Sequence, residues 1–125
     1  MKTRTREDYR AAERAGRLAE LACRLALRLR GYRILAVRCR TPAGEIDLVA
    51  RRGDLLAIVE VKARPSLEQA RAAVTHAQWR RLARAAGLYV GARRGLERCA
   101  VRFDLVAVVP GRWPVHLPDA WRPEG

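Results

Sequence analysis

The chain has 125 residues, half of them hydrophobic, which is enough for one domain with a core of its own and no disulfide framework. It has no run of about eighteen apolar residues, and its N-terminus "MKTRTREDYR" lacks the apolar centre of a signal peptide, so we expect a cytoplasmic protein with no membrane partner. A net charge of +13 favours a phosphate-rich partner, namely nucleic acid.

The first predicted element is a helix over about residues 8–30, preceded by a flexible tail at residues 1–7. One apolar stripe recurs at spacings of three and four: Ala11, Ala15, Leu18, Ala22, Leu25 and Leu29. Glu20 lies on the other side of this helix, in line with Gly16 and Cys23. Glu20 therefore either faces protein or is an ordinary exposed helix glutamate.

Alternating apolar residues predict three strands after this helix, at residues 32–40, 45–51 and 55–63. A second helix is expected over "LEQARAAVTHAQWRRLARAAGLYV", and a fourth strand over residues 99–109. Residues 110–125 contain four prolines and predict an irregular tail, which leaves a core of about residues 8–109. The order α-β-β-β-α-β favours an α/β fold with a mixed sheet flanked by helices.

The second and third strands carry charge inside apolar runs, in "GEIDLVARRGDLLAIVEVKAR". A two-residue turn at Gly53 and Asp54 sets a register in which Asp47 is opposite Glu60, and Glu45 is opposite Lys62. These four residues then share one face, while Ile46, Leu48, Val59 and Val61 point towards a core. Opposed carboxylates destabilise a sheet unless one is protonated or a cation lies between them, and Mg²⁺ or Mn²⁺ suits such oxygen ligands. The alternative is a solvated strand face with mixed charges.

Lysine is scarce in this chain. Only Lys2 and Lys62 are lysines among 26 basic residues. A compact ammonium differs physically from a broad guanidinium fork and can stand beside carboxylates and an attacking water. The position of Lys62 is therefore interpreted as a chemical requirement.

The spacing from Asp47 to the Glu60-x-Lys62 triplet resembles the PD-(D/E)xK nuclease superfamily, in which these three residues would be catalytic. Six blocks in order resemble the YraN family of uncharacterised bacterial proteins: "GRLAE" (16–20), "GYRIL" (31–35), "GEIDLV" (44–49), "VEVKAR" (59–64), "AVT" (73–75) and "RFDLVAV" (102–108). The resemblance implies a restriction-endonuclease-like fold, similar to archaeal Holliday junction resolvases. It also implies that Glu20 supplies an acidic metal ligand or positions a water.

Three further residues are candidates for supporting or substrate-binding roles: Glu45, Gln78 and Arg64. The chain departs from the family pattern by having Gln78-Trp79 where a Lys-Gln pair is common, and by a shorter segment between Lys62 and Thr75. Trp79 is interpreted as a core residue.

Three functions remain open from the sequence. The leading hypothesis is a Mg²⁺-dependent or Mn²⁺-dependent endonuclease that hydrolyses phosphodiesters in branched or structured DNA. A homodimer is compatible with this hypothesis because a symmetric junction needs two sites. The second is a non-catalytic nucleic-acid-binding module of the same fold in repair, recombination or RNA processing. The third is a protein-interaction subunit of a recombination or transformation machine.

Overall fold

The computed structural model describes residue 3 and residues 5–124, which form one five-stranded sheet with helices on its faces. The elements in chain order are α1 (Arg6–Leu29), β1 (Arg33–Thr41), β2 (Gly44–Arg52), β3 (Leu55–Ala63), α2 (Leu67–Ala72), α3 (His76–Gly91), β4 (Ala100–Val108) and β5 (Val115–Trp121). The predicted α/β class with a mixed sheet is confirmed, with one helix divided in two and one strand added. No helix in the described part of the chain is long and apolar enough to cross a membrane.

The sheet has the spatial order β1-β2-β3-β4-β5 and is mixed because of its connections. Short turns join β1 to β2 and β2 to β3, so those pairs are antiparallel. The connection through α2 and α3 returns the chain to the same end of the sheet, so β3 and β4 are parallel. Thr75 caps α3 with its hydroxyl and divides the long predicted helix, as a threonine at an N-cap commonly does.

The predicted register of the β2–β3 hairpin is confirmed from Arg52 opposite Leu55 to Leu48 opposite Val59. Gly53 has a φ of 60°, the left-handed conformation that a tight hairpin turn of this kind requires. The described pairs end at Leu48 and Val59, so neither predicted charged pairing, Asp47 with Glu60 or Glu45 with Lys62, is part of the ladder. The end of this ladder is where the charged residues lie.

Two hydrophobic clusters cover the two faces of the sheet. On one face, Trp79, Leu82 and Tyr89 of α3 belong to a cluster with core residues of the strands. On the other face, Cys23 and Leu27 of α1 belong to a second cluster. Helices α1 and α3 therefore approach the β2–β3 hairpin, which carries the charged residues at its end, from opposite faces of the sheet.

Ile46 departs from the predicted alternation. It was expected to share a face with Leu48 and Val59, but it belongs to the α3 cluster while those two belong to the α1 cluster. The regular alternation of β2 is therefore interrupted at Asp47, the residue between Ile46 and Leu48. In β1, Arg38 lies between the partners of Ile46 and Leu48 and has a φ of 50°, which is uncommon for a residue with a side chain. The distortion thus falls at the candidate site.

The predicted inward stripe of α1 is wrong. Leu18 and Leu29 are 66% and 72% exposed, whereas the buried residues of α1 are Cys23, Ala26 and Leu27. The helix packs through the side that carries Glu20, because that row offers small or apolar residues that fit against the sheet. The expectation that Glu20 faces protein is therefore the correct one of its two alternatives.

The predicted tail at residues 1–7 is also wrong in its described part. Thr5 and Asp8 form a capping box, which starts α1 at Arg6 instead of residue 8. Met1, Lys2 and Arg4 lie outside the described residues, and so does Gly125.

The predicted irregular tail at residues 110–125 contains β5, which pairs antiparallel with β4 at the edge of the sheet. Pro118 is tolerated there because an edge strand has one side that makes no ladder bonds. Trp121 fixes the strand from one side, since its ring stacks on Trp79 and meets Phe103 edge to face.

Asp104 fixes β5 from the other side and is fully buried. Its carboxylate accepts two hydrogen bonds from Arg102 at 2.7 and 2.6 Å, one from the backbone of Asp119 at 3.0 Å, and contacts His116 Nε2 at 2.7 Å. The prediction that Asp104 pairs with a neighbouring arginine is thereby confirmed. These bonds hold the pKa of Asp104 at about 2, although burial alone would raise it.

Candidate active site

The centre of the site is a pair of carboxylates where the β2–β3 ladder ends. Asp47 Oδ2 accepts a hydrogen bond of 2.8 Å from the backbone N–H of Val61. Glu60 Oε1 lies 3.4 Å from Lys62 Nζ, and these two side chains are only 18% and 21% exposed. The structure therefore brings Asp47, Glu60 and Lys62 together just beyond the last pair of the hairpin ladder.

Both carboxyl groups have raised pKa values. Burial is the largest cause for each, and the negative charge of Asp47 raises the pKa of Glu60 further. The Val61 N–H and the Lys62 ammonium lower the pKa of Asp47 but do not outweigh its burial, and the neighbouring Glu60 carboxyl acts in the same direction. The pair thus favours either a shared proton or a cation.

Glu20 reaches the same region from α1. It forms an ion pair with Arg38 of β1, and both residues line a cavity of about 230 Å³ together with Asp47. Burial raises the pKa of Cys23 to about 11, and the charges of Glu20 and Asp47 add to that rise. Glu20 is therefore close enough to act on the same groups as Asp47, with its own charge offset by Arg38.

The donor set can be tested against the expected metal. In the described ranges, no group of three or more His, Cys, Asp or Glu side chains converges well enough to hold an ion. The donors that converge are the two carboxylates of Asp47 and Glu60. Mg²⁺ is commonly bound through one or two carboxylates and keeps several waters, and its charge would favour the ionised forms that burial disfavours in both groups. The pair therefore fits Mg²⁺ or Mn²⁺, with Glu20 available once Arg38 releases it.

The three supporting residues predicted from the sequence lie at different places relative to the carboxylate pair. The charge of Glu45 raises the pKa of Asp47, so Glu45 borders the site. Its Oε2 lies 3.8 Å from Nε of Arg40. Gln78 does not join the carboxylates, because its side-chain oxygen accepts the Thr75 N–H in the capping box of α3. Arg64 is exposed, and its guanidinium donates to the carbonyl of Ala63.

Two arginines of the site were missed by sequence reasoning. Arg81 of α3 lowers the pKa of Glu60. Its guanidinium lies against Gly44, where an added Cβ would meet Nη1 at 2.6 Å, so a glycine makes room for it. Arg38 could have been found by continuing the register of the β1–β2 hairpin, which places it opposite Asp47. Arg81 carries no sequence signal, since arginine is the commonest charged residue here.

The fold and this site define an α/β protein with a mixed sheet and an acidic pair beside a lysine. The chain belongs to the uncharacterised protein family UPF0102, whose sequence model matches residues 19–108. It is 50% identical over 121 residues to a UPF0102 protein of Chelativorans sp. (strain BNC1), covering 97% of this chain and 98% of that one. It is 54% identical over 110 residues to a UPF0102 protein of Rhizobium meliloti (strain 1021), covering 88% and 90% respectively. The predicted YraN family membership is confirmed, because that family is this UPF0102 group.

Proposed function

We propose that this protein is a Mg²⁺-dependent or Mn²⁺-dependent endonuclease that hydrolyses phosphodiesters in branched or structured DNA. The observation that carries the proposal is the half-buried pair of Asp47 and Glu60, with raised pKa values, beside Lys62, the only lysine among the residues that the structure describes. Perturbed carboxyl groups held together against their mutual repulsion are more common at functional sites than elsewhere.

In this proposal, each charged residue of the candidate site has its own role. Asp47 and Glu60 would hold the divalent ion, which would supply Lewis-acid polarisation of the phosphate and stabilisation of the leaving oxygen. Lys62, 3.4 Å from Glu60, holds the attacking water and orients it. Arg81, whose charge acts on Glu60, and Arg38, which lines the same cavity as Asp47, would bind the substrate phosphates.

The charge of the whole chain supports a nucleic-acid substrate. A surplus of thirteen positive charges produces a positive potential that attracts phosphates. A homodimer would supply the two such sites that an enzyme cutting a symmetric junction requires.

The experiment is a cleavage assay with purified protein on duplexes, forks, four-way junctions and RNA hairpins, with Mg²⁺, Mn²⁺ or EDTA. We expect cleavage of a branched DNA with a divalent ion and none with EDTA. Asp47→Ala, Glu60→Ala and Lys62→Ala should each reduce the rate at least about a hundredfold, since groups that act on the attacking water contribute that much or more. Asp54→Ala is the control, because Asp54 is an exposed acid of the same hairpin. Cleavage that survives the Asp47 and Glu60 substitutions contradicts the proposal.

The second candidate is a nucleic-acid-binding module of the same fold that does not cut. It is favoured by the ion pair that engages Glu20 with Arg38, which leaves two acids at the centre of the site and not three. Such a module binds DNA or RNA with a salt dependence of roughly −0.9 per phosphate contact in log-log slope for duplex DNA. It gives no cleavage with any metal, and its affinity is unchanged by Lys62→Ala.

A further inference from the structure

A second cavity lies between α3 and the end of β5, lined by other residues than those of the carboxylate site. It has a volume of about 310 Å³, and its walls include His76, Arg80, Arg84, Trp121 and Pro123. We refer to it as the α3–β5 cavity. Its volume is at the lower end of the range of small-molecule sites, large enough for one nucleotide unit.

Three nitrogen-bearing side chains follow one another along the α3 wall of this cavity. His76, Arg80 and Arg84 are four residues apart, so they lie one above the other on successive turns of the helix. No hydrogen bond or ion pair joins the guanidinium of Arg80 or Arg84 to another side chain among the residues described. Glu124 also lines the cavity, so two guanidinium groups face one carboxylate there. A surplus of guanidinium donors on one wall suits a phosphate group.

The β5 wall of the cavity is aromatic. Trp121 stacks on Trp79 with ring centres 6.0 Å apart and meets Phe103 edge to face at 5.4 Å. Its indole N–H donates a hydrogen bond of 2.7 Å to His76 Nδ1. Because Nδ1 accepts this bond, a neutral His76 carries its proton on Nε2, and that N–H is a further hydrogen-bond donor. Trp121 thus fixes the imidazole while offering a flat apolar surface.

We propose that the α3–β5 cavity binds a nucleotide, with its phosphate on Arg80 and Arg84 and its base against the indole of Trp121. Nucleobases bind to proteins by stacking on aromatic side chains, and phosphates bind to paired guanidinium donors. The same chemistry occurs in a free nucleotide and in a nucleotide unit of a single strand. This site does not depend on the carboxylate pair or on catalysis by it.

The indole N–H signals of the protein provide a direct readout by ¹⁵N–¹H NMR. The chain has three tryptophans, and the Trp121 signal is assigned by its loss in Trp121→Phe. We expect adenosine 5′-monophosphate to shift this signal in a saturable manner, and adenosine without the phosphate to bind at least about tenfold more weakly. Inorganic phosphate alone should bind more weakly than the nucleotide because it cannot stack.

The double variant Arg80→Ala/Arg84→Ala is expected to weaken nucleotide binding at least about tenfold, since hydrogen bonds to charged groups are lost. Arg10→Ala/Arg14→Ala is the matched control, because these exposed arginines are also four apart on a helix, and it should bind like the wild type. Unchanged indole signals of the free variant establish that the wall of the cavity is intact.

Two further arms separate the sources of the ligand and the two sites. If a short single-stranded DNA binds at least about tenfold more tightly than the mononucleotide, the ligand is a strand. If the mononucleotide binds more tightly than the strand, the ligand is a free nucleotide. Either result supports the assignment. Asp47→Asn should leave the Trp121 shift unchanged whether or not the protein cleaves DNA. The assignment is overturned if the nucleotide causes no shift at millimolar concentration, or if the Arg80 and Arg84 substitutions leave the binding intact.

Discussion

Replacing Asp47 by asparagine is expected to stabilise the protein at neutral pH when no divalent cation is present. Burial raises the pKa values of Asp47 and Glu60, and the charge of Asp47 adds to the rise for Glu60, so the ionised pair is unfavourable in the folded state. Asparagine keeps a side-chain oxygen that can accept the Val61 N–H bond of 2.8 Å. Its amide group can also donate to Glu60, so the substitution replaces a repulsion by a hydrogen bond.

The size of this effect follows from the position of the pair. Residues of neighbouring strands that are opposite or diagonal to one another have Cβ atoms about 5 to 7 Å apart, and two unit charges at that distance repel by about 2 to 3 kcal/mol at an effective dielectric constant of roughly 20. The ammonium of Lys62, 3.4 Å from Glu60, offsets part of this repulsion. We therefore expect Asp47→Asn to raise the free energy of unfolding by about 1 to 2 kcal/mol. Each kcal/mol corresponds to an increase in Tm of about 4 °C.

The pH dependence gives a second test of the same reasoning. A carboxyl group whose pKa is raised on folding favours the folded state most below its ordinary value and loses that advantage as pH rises through the raised value. The ordinary values are 3.8 for Asp47 and 4.5 for Glu60. The penalty in the wild type is therefore absent below about pH 3.8 and develops above it, so the advantage of Asp47→Asn should be lost at about pH 3.

Urea unfolding followed by circular dichroism in EDTA, at about pH 7 and about pH 3, measures the difference. Asp54→Asn is the matched control, because its side chain is 89% exposed, and it should change the free energy of unfolding by less than about 0.5 kcal/mol. Millimolar Mg²⁺ should stabilise the wild type and not Asp47→Asn, if the ion binds the folded pair. A variant less stable than the wild type at neutral pH, or a gain that persists in acid, refutes the account of the pair.

Two further predictions concern the fold around the site. Asp104→Asn should reduce the free energy of unfolding by about 3 to 5 kcal/mol, because it leaves Arg102 without its buried partner. Since the pKa of Asp104 falls from 3.8 to about 2 on folding, its contribution is present above 3.8 and is lost as pH falls towards 2, and urea titrations across that range should show this loss in the wild type and not in the variant. Leu27→Ala should cost about 2 to 5 kcal/mol and the exposed Leu25→Ala less than about 1 kcal/mol, so equal losses in urea titrations would contradict the orientation of α1.

The hairpin at the candidate site was predictable because its determinants are local. A glycine that accepts a positive φ in the turn and alternating apolar residues on both strands set the register, and the register brings Asp47 and Glu60 to the same end of the hairpin. The interruption at Asp47 was not predictable from β2 alone. It accompanies the left-handed backbone of Arg38 in the neighbouring strand, which no period in the sequence indicates.

The fifth strand was missed because its stability is tertiary. The segment Val115–Trp121 contains a proline and alternates poorly, so its local pattern is typical of a loop. It is held by contacts made across the sequence, from His116 to Asp104 and from Trp121 to Trp79. A pattern in one segment cannot contain information that depends on the burial of a residue in another.

Helix α1 indicates which sequence signals are informative in a small domain. The leucine stripe predicted the wrong face, since apolar atoms make up much of any protein surface and an exposed leucine costs little. Glu20 was left open between facing protein and facing solvent, and the structure selects the first, in which Arg38 supplies the partner that a partly buried carboxylate needs. The charged residues in apolar surroundings, Glu20, Asp47, Glu60 and Lys62, therefore locate the candidate site more reliably than the hydrophobic pattern orients the helix above it.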